Sequence, residues 1–178
     1  MKIFIASDIH GSALYTKKAI ECFKSEKADL MVLLGDIYNH GPRNPFPKEY
    51  KPNTVATILN DIKQNLIVIK GNCDSQVDTL ISEFDFIEDM CVISGEKRIL
   101  LTHGHVYNKD NLPSTKFDAI IYGHFHTGFI ERQGNIVFAN AGSVSLPKNN
   151  TPSSYIILEN GSITLKDIDG NEIDKIDI

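Results

Sequence analysis

Apolar positions along this chain follow two different patterns. In the first half, unbroken apolar runs alternate with stretches of helical spacing. Residues 2–7, KIFIAS, predict a buried strand that stops where polar residues begin at Asp8. From Ser12 to Lys27 the residues Leu14, Ala19, Ile20 and Phe23 recur at helical spacing, with Ser12 as the N-cap. DLMVLLGD (29–36) predicts a second buried strand. Residues 39–52, NHGPRNPFPKEYKP, read as a proline-rich loop, and Asn53 or Thr54 is expected to cap a helix running to about Gln64. NLIVIKGN then supplies a third strand. Strand–helix–strand–helix–strand in this order predicts a parallel sheet with right-handed crossovers.

After about residue 85 the pattern changes. MCVISG, KRILLTHG, DAIIYGH, HTGFIERQG, NIVFANAG, SYIILENG and SITLKDI are short strand-like runs separated by Gly, Asn and Pro, with little room for helices. The second half therefore reads as a mainly β layer stacked on the first. The expected fold is an α/β sandwich with two sheets face to face and helices outside.

Size and charge narrow the picture. A chain of 178 residues, 42% hydrophobic and 23% charged, has the composition of one globular domain, and no linker-like stretch divides residues 1–178. A net charge of −5 argues against a surface built for polyanions, so a nucleic acid polymer is not the expected substrate. A phosphate-bearing ligand would need a local positive centre. The N-terminal apolar run is too short for a signal peptide, and no stretch has membrane-spanning length, so no membrane partner is expected. Cys22, Cys73 and Cys91 show neither zinc-like nor disulfide-like spacing. Cys22 and Cys91 read as small core residues, and the cytoplasm is the expected compartment.

The candidate chemistry lies where the strands stop. The first ends in S-D-I-H (Asp8, His10), the second in G-D (Asp36) and the third in G-N-C-D (Asn72, Cys73). Later runs end in L-T-H-G-H (His103, His105) and Y-G-H-F-H (His124, His126). In an open α/β sheet the carboxyl ends of strands lie along the ligand-binding edge. Convergence there would collect carboxylates, an amide and imidazoles, a donor set suited to Mn, Fe, Ni or Zn. Asp8 and His10, two apart on extended backbone, can hold one ion, while His124 and His126 can each reach a different one. A carboxylate can bridge two metals about 3.5–4 Å apart, the spacing used for displacement at phosphorus, and Asp36 is the candidate bridge. Each D-x-H, H-x-H or Gly-Asp alone is also ordinary loop chemistry. The joint pattern, with five of the six histidines in these clusters, makes the case for a metal site.

The motifs D-x-H, G-D, G-N-x-D, G-H and G-H-x-H, in this order, resemble those of the calcineurin-like metallophosphoesterases. GDIYNHGPRNPFP, KGNCDSQVD, LTHGHVYNKDNLP, YGHFHTG and NAGSVSLPK extend the resemblance to the bacterial YfcE-type phosphodiesterases over nearly the whole chain. The resemblance implies a four-layer αββα sandwich of two mixed β-sheets flanked by helices. It implies that Asp8, His10, Asp36 and His126 hold a first metal, and that Asp36, Asn72, His103 and His124 hold a second. Asp36, Asn72 and His103 are on the same ground the catalytic candidates, and Mn is the leading metal, with Ni, Fe or Zn as the others. A hydroxide bridging the ions would attack the phosphorus of a small phosphodiester. Self-association into a homo-oligomer is compatible with the resemblance.

Other residues keep two readings. His105 has no ligand role in the family pattern; it either orients a ligand or touches substrate, or it is an ordinary loop histidine. His40 and Arg43, in the proline-rich loop, reach the phosphate or are simply solvated. Asn140 and Ser143, in NAGS, line the site, brace it or serve turn chemistry alone.

Cys73 stands where much of the superfamily has a histidine that protonates the leaving group. The nucleophile role is already filled, and the nitrogen–oxygen ligand set is complete without sulfur. A thiol with a reference pKa of about 8.5 is a poor substitute for imidazole as an acid. Cys73 therefore reads as a missing general acid whose smaller bulk leaves room for the second ester group of a diester. Two rivals stand beside the phosphodiesterase reading: a phosphomonoesterase, and a protein-interaction scaffold like the Vps29 subunit of the retromer coat. The intact donor set argues against the scaffold.

Overall fold

The computed structural model describes all residues 1–178. Its strands are β1 (Lys2–Ala6), β2 (Leu30–Leu33), β3 (Leu66–Ile69), β4 (Phe86–Ile87), β5 (Met90–Ser94), β6 (Lys97–Leu101), β7 (Ala119–Tyr122), β8 (Gly128–Gln133), β9 (Ile136–Ala141), β10 (Ser154–Glu159), β11 (Ser162–Asp167) and β12 (Glu172–Asp177). Two α-helices, α1 (Ala13–Ser25) and α2 (Pro52–Asn60), fall between the first three strands.

The strands form two mixed sheets, ordered β12-β11-β10-β1-β2-β3-β4 and β5-β6-β7-β9-β8. The period-2 alternation of side chains explains why the first strands read as unbroken apolar runs: both faces are buried. Ile3 and Ile5 of β1, with Val32 and Ile69, join Ile99, Leu101, Ile121 and Ala139 in the core between the sheets. Phe4, Ala6, Met31, Leu33 and Val68 point the other way, against Ala19, Ile20 and Phe23 of α1 and Val55 and Leu59 of α2. The outer face of the five-stranded sheet packs Leu100, Ile120, Tyr122 and Phe138 under Tyr107 and Phe117. That cover comes from the segment between β6 and β7, which contains no helix, so the flanking helices lie on the larger sheet.

Ser12 caps α1 as expected, its side chain accepting the backbone N–H of Tyr15. The second helix departs from expectation. It starts at Pro52, with Lys51 at the cap position and no side-chain cap bond, and its regular turns end at Asn60. Proline, whose missing N–H costs nothing in a first turn, starts the helix where Asn53 or Thr54 was expected to cap it. Strand order also departs. The second half does not form a separate layer, because β10 returns to pair antiparallel with β1 (Ile5↔Ile156) and brings β11 and β12 with it. Neither β4 nor β12 was expected. The first is only two residues long, and the second, EIDKID, is a charged, exposed edge whose polarity hides its extended backbone.

β1, β2 and β3 are mutually parallel, as are β6, β7 and β9. Each trio directs its carboxyl ends to one edge, and hydrogen bonds join the two edges. Val144 N–H donates to Ser7 O, and the hydroxyls of Ser143 and Ser145 both donate to Asp8 O.

Candidate active site

Five of the residues expected to bind metal, Asp8, His10, Asp36, His124 and His126, have φ between 50° and 65°, in the left-handed region that non-glycine residues rarely occupy. Each such residue costs about 1–2 kcal/mol, and the strain sits where the strands break into loops. Cross-loop hydrogen bonds hold these conformations: His10 N–H donates to Asp36 O (2.8 Å) and Gly123 N–H to His103 O (2.9 Å). Glycines make the close approach possible. A Cβ on Gly71 would lie 2.2 Å from Asp36 Oδ1, and one on Gly123 would lie 1.9 Å from Ser7 Oγ.

The strand ends bring seven side chains together in two overlapping groups. In the first, His10 Nε2 lies 3.1 Å from His126 Nε2, 3.5 Å from Asp8 Oδ1 and 3.7 Å from Asp36 Oδ2. His126 Nε2 is 3.2 Å from the same Asp8 oxygen. In the second, His103 Nε2 lies 3.5 Å from Asp36 Oδ1, 3.0 Å from Asn72 Oδ1 and 3.3 Å from His124 Nδ1. Asp36 thus offers one oxygen to each group. Asp8, His10, His103, Asp36 and His126 are buried, whereas Asn72 and His124 reach the surface of the cleft.

The protonation pattern follows from the backbone. His10 Nδ1 faces Asn39 O (2.6 Å), His103 Nδ1 faces Leu34 O (2.6 Å) and His126 Nδ1 faces Leu146 O (2.7 Å). A carbonyl only accepts, so Nδ1 carries the proton in each ring and Nε2 presents its lone pair inward. Asp8 Oδ1, buried at the same point, receives no hydrogen bond. Lone pairs and a carboxylate oxygen converging this closely are satisfied by a cation. The titration behaviour expresses the same demand. Burial would raise the Asp8 carboxyl, but the close approach of His10 and His126 outweighs it and holds the group well below the usual carboxylate range. Burial would lower His10, but Asp8 outweighs it and raises the group above its usual value, so this corner of the site favours positive charge. Burial and the neighbouring His103 push His124 down to about 4, leaving its lone pair free. The donor set, nitrogen and carboxylate oxygen with an amide oxygen, fits divalent transition metals.

A cleft of about 830 Å³ opens onto these groups. Cys73 lines it beside Asn72 and His124. Its backbone N–H donates to Asp36 Oδ1 (2.8 Å), and burial together with Asp36 pushes its thiol up to about 12. Sγ also comes within 4.8 Å of ligand atoms of His10 and Asp36, so sulfur lies nearer the first group than the sequence implied. Arg43 lines the cleft. His40 does not: its ring packs on Phe46 and Tyr50, with centroids 4.3 and 5.5 Å away. His105 also lies outside the lining, exposed beside His103 at 5.3 Å between centroids. Asn140 and Ser143 are fully buried and brace the loops, Asn140 through Gly123 O and Ser143 through Asp8 O.

Three residues carry weight that the sequence reading did not assign. Asp74 is buried, and its carboxylate accepts the backbone N–H groups of Asp36, Ile37 and Gly71, each at 2.8 Å. Burial pushes it up to about 6 against those bonds. The only signal in the sequence was its place in G-N-C-D. Lys148, following the NAGSVSLP run, and Phe125, between the two histidines of G-H-F-H, both line the cleft.

The chain matches the calcineurin-like phosphoesterase superfamily domain over residues 1–162. It is 42% identical to phosphodiesterase YfcE of Escherichia coli K12 over 167 residues, 93% of this chain and 91% of that one. It is 29% identical to the probable metallophosphoesterase YsnB of Bacillus subtilis, covering 99% and 96% of the two chains. The solved structure of E. coli YfcE superposes with a TM-score of 0.95 at 39% identity and covers both chains fully. Vps29 of Chaetomium thermophilum, at 18% identity and a TM-score of 0.66 over 99% and 97% of the chains, shares the fold alone. No helix is long and apolar enough to cross a membrane. Two mixed sheets whose parallel strands deliver a cation-seeking donor set, together with these likenesses, show that the chain belongs to the calcineurin-like phosphoesterase superfamily and is a metallophosphoesterase.

Proposed function

We propose that the protein is a phosphodiesterase that hydrolyses a small phosphodiester at a pair of divalent ions, Mn being the leading candidate. Asp8, His10, Asp36 and His126 would hold one ion and Asp36, Asn72, His103 and His124 the other. The observation that carries this reading is the division of Asp36, with Oδ2 facing His10 and Oδ1 facing His103. When bound, the ions supply positive charge to the phosphoryl oxygens and acidify the attacking water. The chain's own contribution is orientation. Carbonyls of Asn39, Leu34 and Leu146 fix three imidazoles, and the Cys73 N–H and Asp74 fix Asp36. Arg43, in the cleft wall, would meet the substrate outside the metal centre. Cys73 supplies little acid to the leaving group, which favours good leaving groups, and its small side chain leaves room for the second ester group of a diester, which favours diesters over monoesters. Three free cysteines accord with a reducing cytoplasm.

The test is turnover of bis-p-nitrophenyl phosphate against p-nitrophenyl phosphate with Mn, in wild type and Asp36→Ala. Faster diester turnover, lost in the variant, is the expected result. No turnover of either ester despite bound metal would overturn the proposal and favour a scaffold.

A further inference from the structure

The cleft holds chemistry that attack on a phosphodiester does not use. Outside the proposed ligands, its charged lining consists of Arg43 and Lys148, with no carboxylate among them. The two cations come from different sheets. Arg43 belongs to the loop after β2, which is braced internally by Asn39 Oδ1 accepting from Gly41 N–H and by Asn44 Nδ2 donating to His40 O. Lys148 belongs to the loop after β9 and is tied to the histidine loop by its backbone N–H, which donates to His126 O at 2.9 Å. A chain with net charge −5 therefore places two exposed cations, carried on braced loops, beside its candidate metal centre. A single phosphodiester carries one negative charge, which the metal ions already meet.

Phe125 is the one phenyl ring in the lining, and it is 44% exposed. Its contacts with Tyr122 and His124 are both T-shaped, with interplanar angles of 77° and 81°, so no protein ring stacks on it in parallel. An exposed aromatic face at the mouth of a polar cleft is suited to a flat aromatic group. No imidazole or carboxyl outside the proposed ligand set borders the cleft, which leaves only the weakly acidic Cys73 thiol and Lys148 ammonium to serve a leaving group. A departing oxygen that is stable as an anion near neutral pH is therefore favoured. A sugar alkoxide is not; a phosphate monoester is.

Resting on the phosphodiesterase reading, we infer that the substrate class is a nucleotide diphosphodiester. Its base would stack on Phe125, one phosphoryl would sit at the metal centre, and the other would sit between Arg43 and Lys148. Water attacks the first phosphorus and the bond from that phosphorus to the bridging oxygen breaks. The electron pair stays with the bridging oxygen on the second phosphoryl. Two phosphate monoesters form, and the protons of the water pass to solvent.

The experiment compares two adenosines joined through a diphosphate with the same nucleosides joined through a single phosphate, with bis-p-nitrophenyl phosphate as the reference. The diphosphate is expected to exceed the single phosphate in kcat/KM by at least about a hundredfold, the scale of a missing general acid. Lys148→Ala and Arg43→Ala should each weaken the diphosphate at least about fivefold more than the nitrophenyl ester. Phe125→Ala should raise the KM for the diphosphate by about tenfold. Calorimetry with the non-hydrolysable methylene-bridged diphosphate reads binding without turnover, and Lys148→Ala should weaken it by a similar factor. If bis-p-nitrophenyl phosphate is hydrolysed while the diphosphate is no faster than the single phosphate, this inference falls and the phosphodiesterase reading stands. If no ester is hydrolysed, both fall. Binding of the analogue that is unchanged in Lys148→Ala removes the second phosphate site.

Discussion

Asp74 holds Asp36 through the backbone. Its Oδ2 accepts the Asp36 N–H at 2.8 Å and the Gly71 N–H at 2.8 Å, so one buried carboxylate fastens the loop after β2 to the loop after β3. Asp36 can then divide its oxygens between two donor groups without moving.

This fastening gives the first prediction. Asp74→Ala leaves three buried N–H groups without acceptors, at about 1–3 kcal/mol each. A loss of more than about 2 kcal/mol in chemical denaturation is expected, together with weaker metal binding. Gly71→Ala should reach the same site by crowding, since its Cβ would lie 2.2 Å from Asp36 Oδ1. Its cost is about 1–3 kcal/mol. Wild-type metal stoichiometry by elemental analysis in both variants would show that Asp36 does not depend on this frame.

Metal removal should destabilise the fold. Asp8 Oδ1 is buried without a hydrogen bond, and His10 Nε2 and His126 Nε2 face each other at 3.1 Å. An ion bound at about 100 times its Kd stabilises by about 2.7 kcal/mol. Exhaustive chelation is expected to lower Tm by several degrees, and Mn to restore it. His126→Ala should show a smaller Mn-dependent shift. An identical shift in that variant would remove His126 from the ligand set.

Cys73 is expected to be both dispensable and slow to react. Cys73→Ala should keep kcat/KM for bis-p-nitrophenyl phosphate within about threefold, and a loss beyond about a hundredfold would give the thiol a chemical role. Burial pushes the thiols of Cys73 and Cys22 upward, so at pH 8 both remain protonated and poorly nucleophilic. Cys91 is exposed on the edge strand β5. Disulfide-exchange reagents should therefore titrate one thiol quickly and two slowly, and Cys91→Ser should abolish the fast phase.

Glu26 supplies a pH dependence remote from the active site. Burial raises its carboxyl, but Lys166, Tyr155 and Lys2 outweigh burial and leave it lowered in the folded protein. A lowered carboxyl adds stability above its unfolded pKa, and that stability is lost as pH falls through the folded value. At pH 7, Glu26→Gln should cost about 0.5–1 kcal/mol, discounted for solvent screening. The difference from wild type should shrink as pH drops below about 4.5. A constant difference from pH 7 to pH 3 would assign the effect to packing instead.

The sequence by itself determined the elements that are buried on both faces and the residues at which they end. Unbroken runs such as KIFIAS and LIVI, short and bounded by polar residues, suit strands buried on both faces, and the polar residues directly after them then fall at a strand's carboxyl end. Asp8, His10, Asp36, Asn72, His103, His124 and His126 were legible for that reason. Tertiary structure alone decided which sheet each later strand joined. Period-2 alternation gives a strand's faces but not its neighbour, so the return of β10 to β1 left no local mark. It also decided which loop residues face the cleft. Asp74 acts through backbone N–H groups of two separate loops, His40 turns onto Phe46 and Tyr50, and Phe125 and Lys148 turn toward the cleft. Such choices rest on contacts between segments far apart in the chain, which residue type and spacing do not encode.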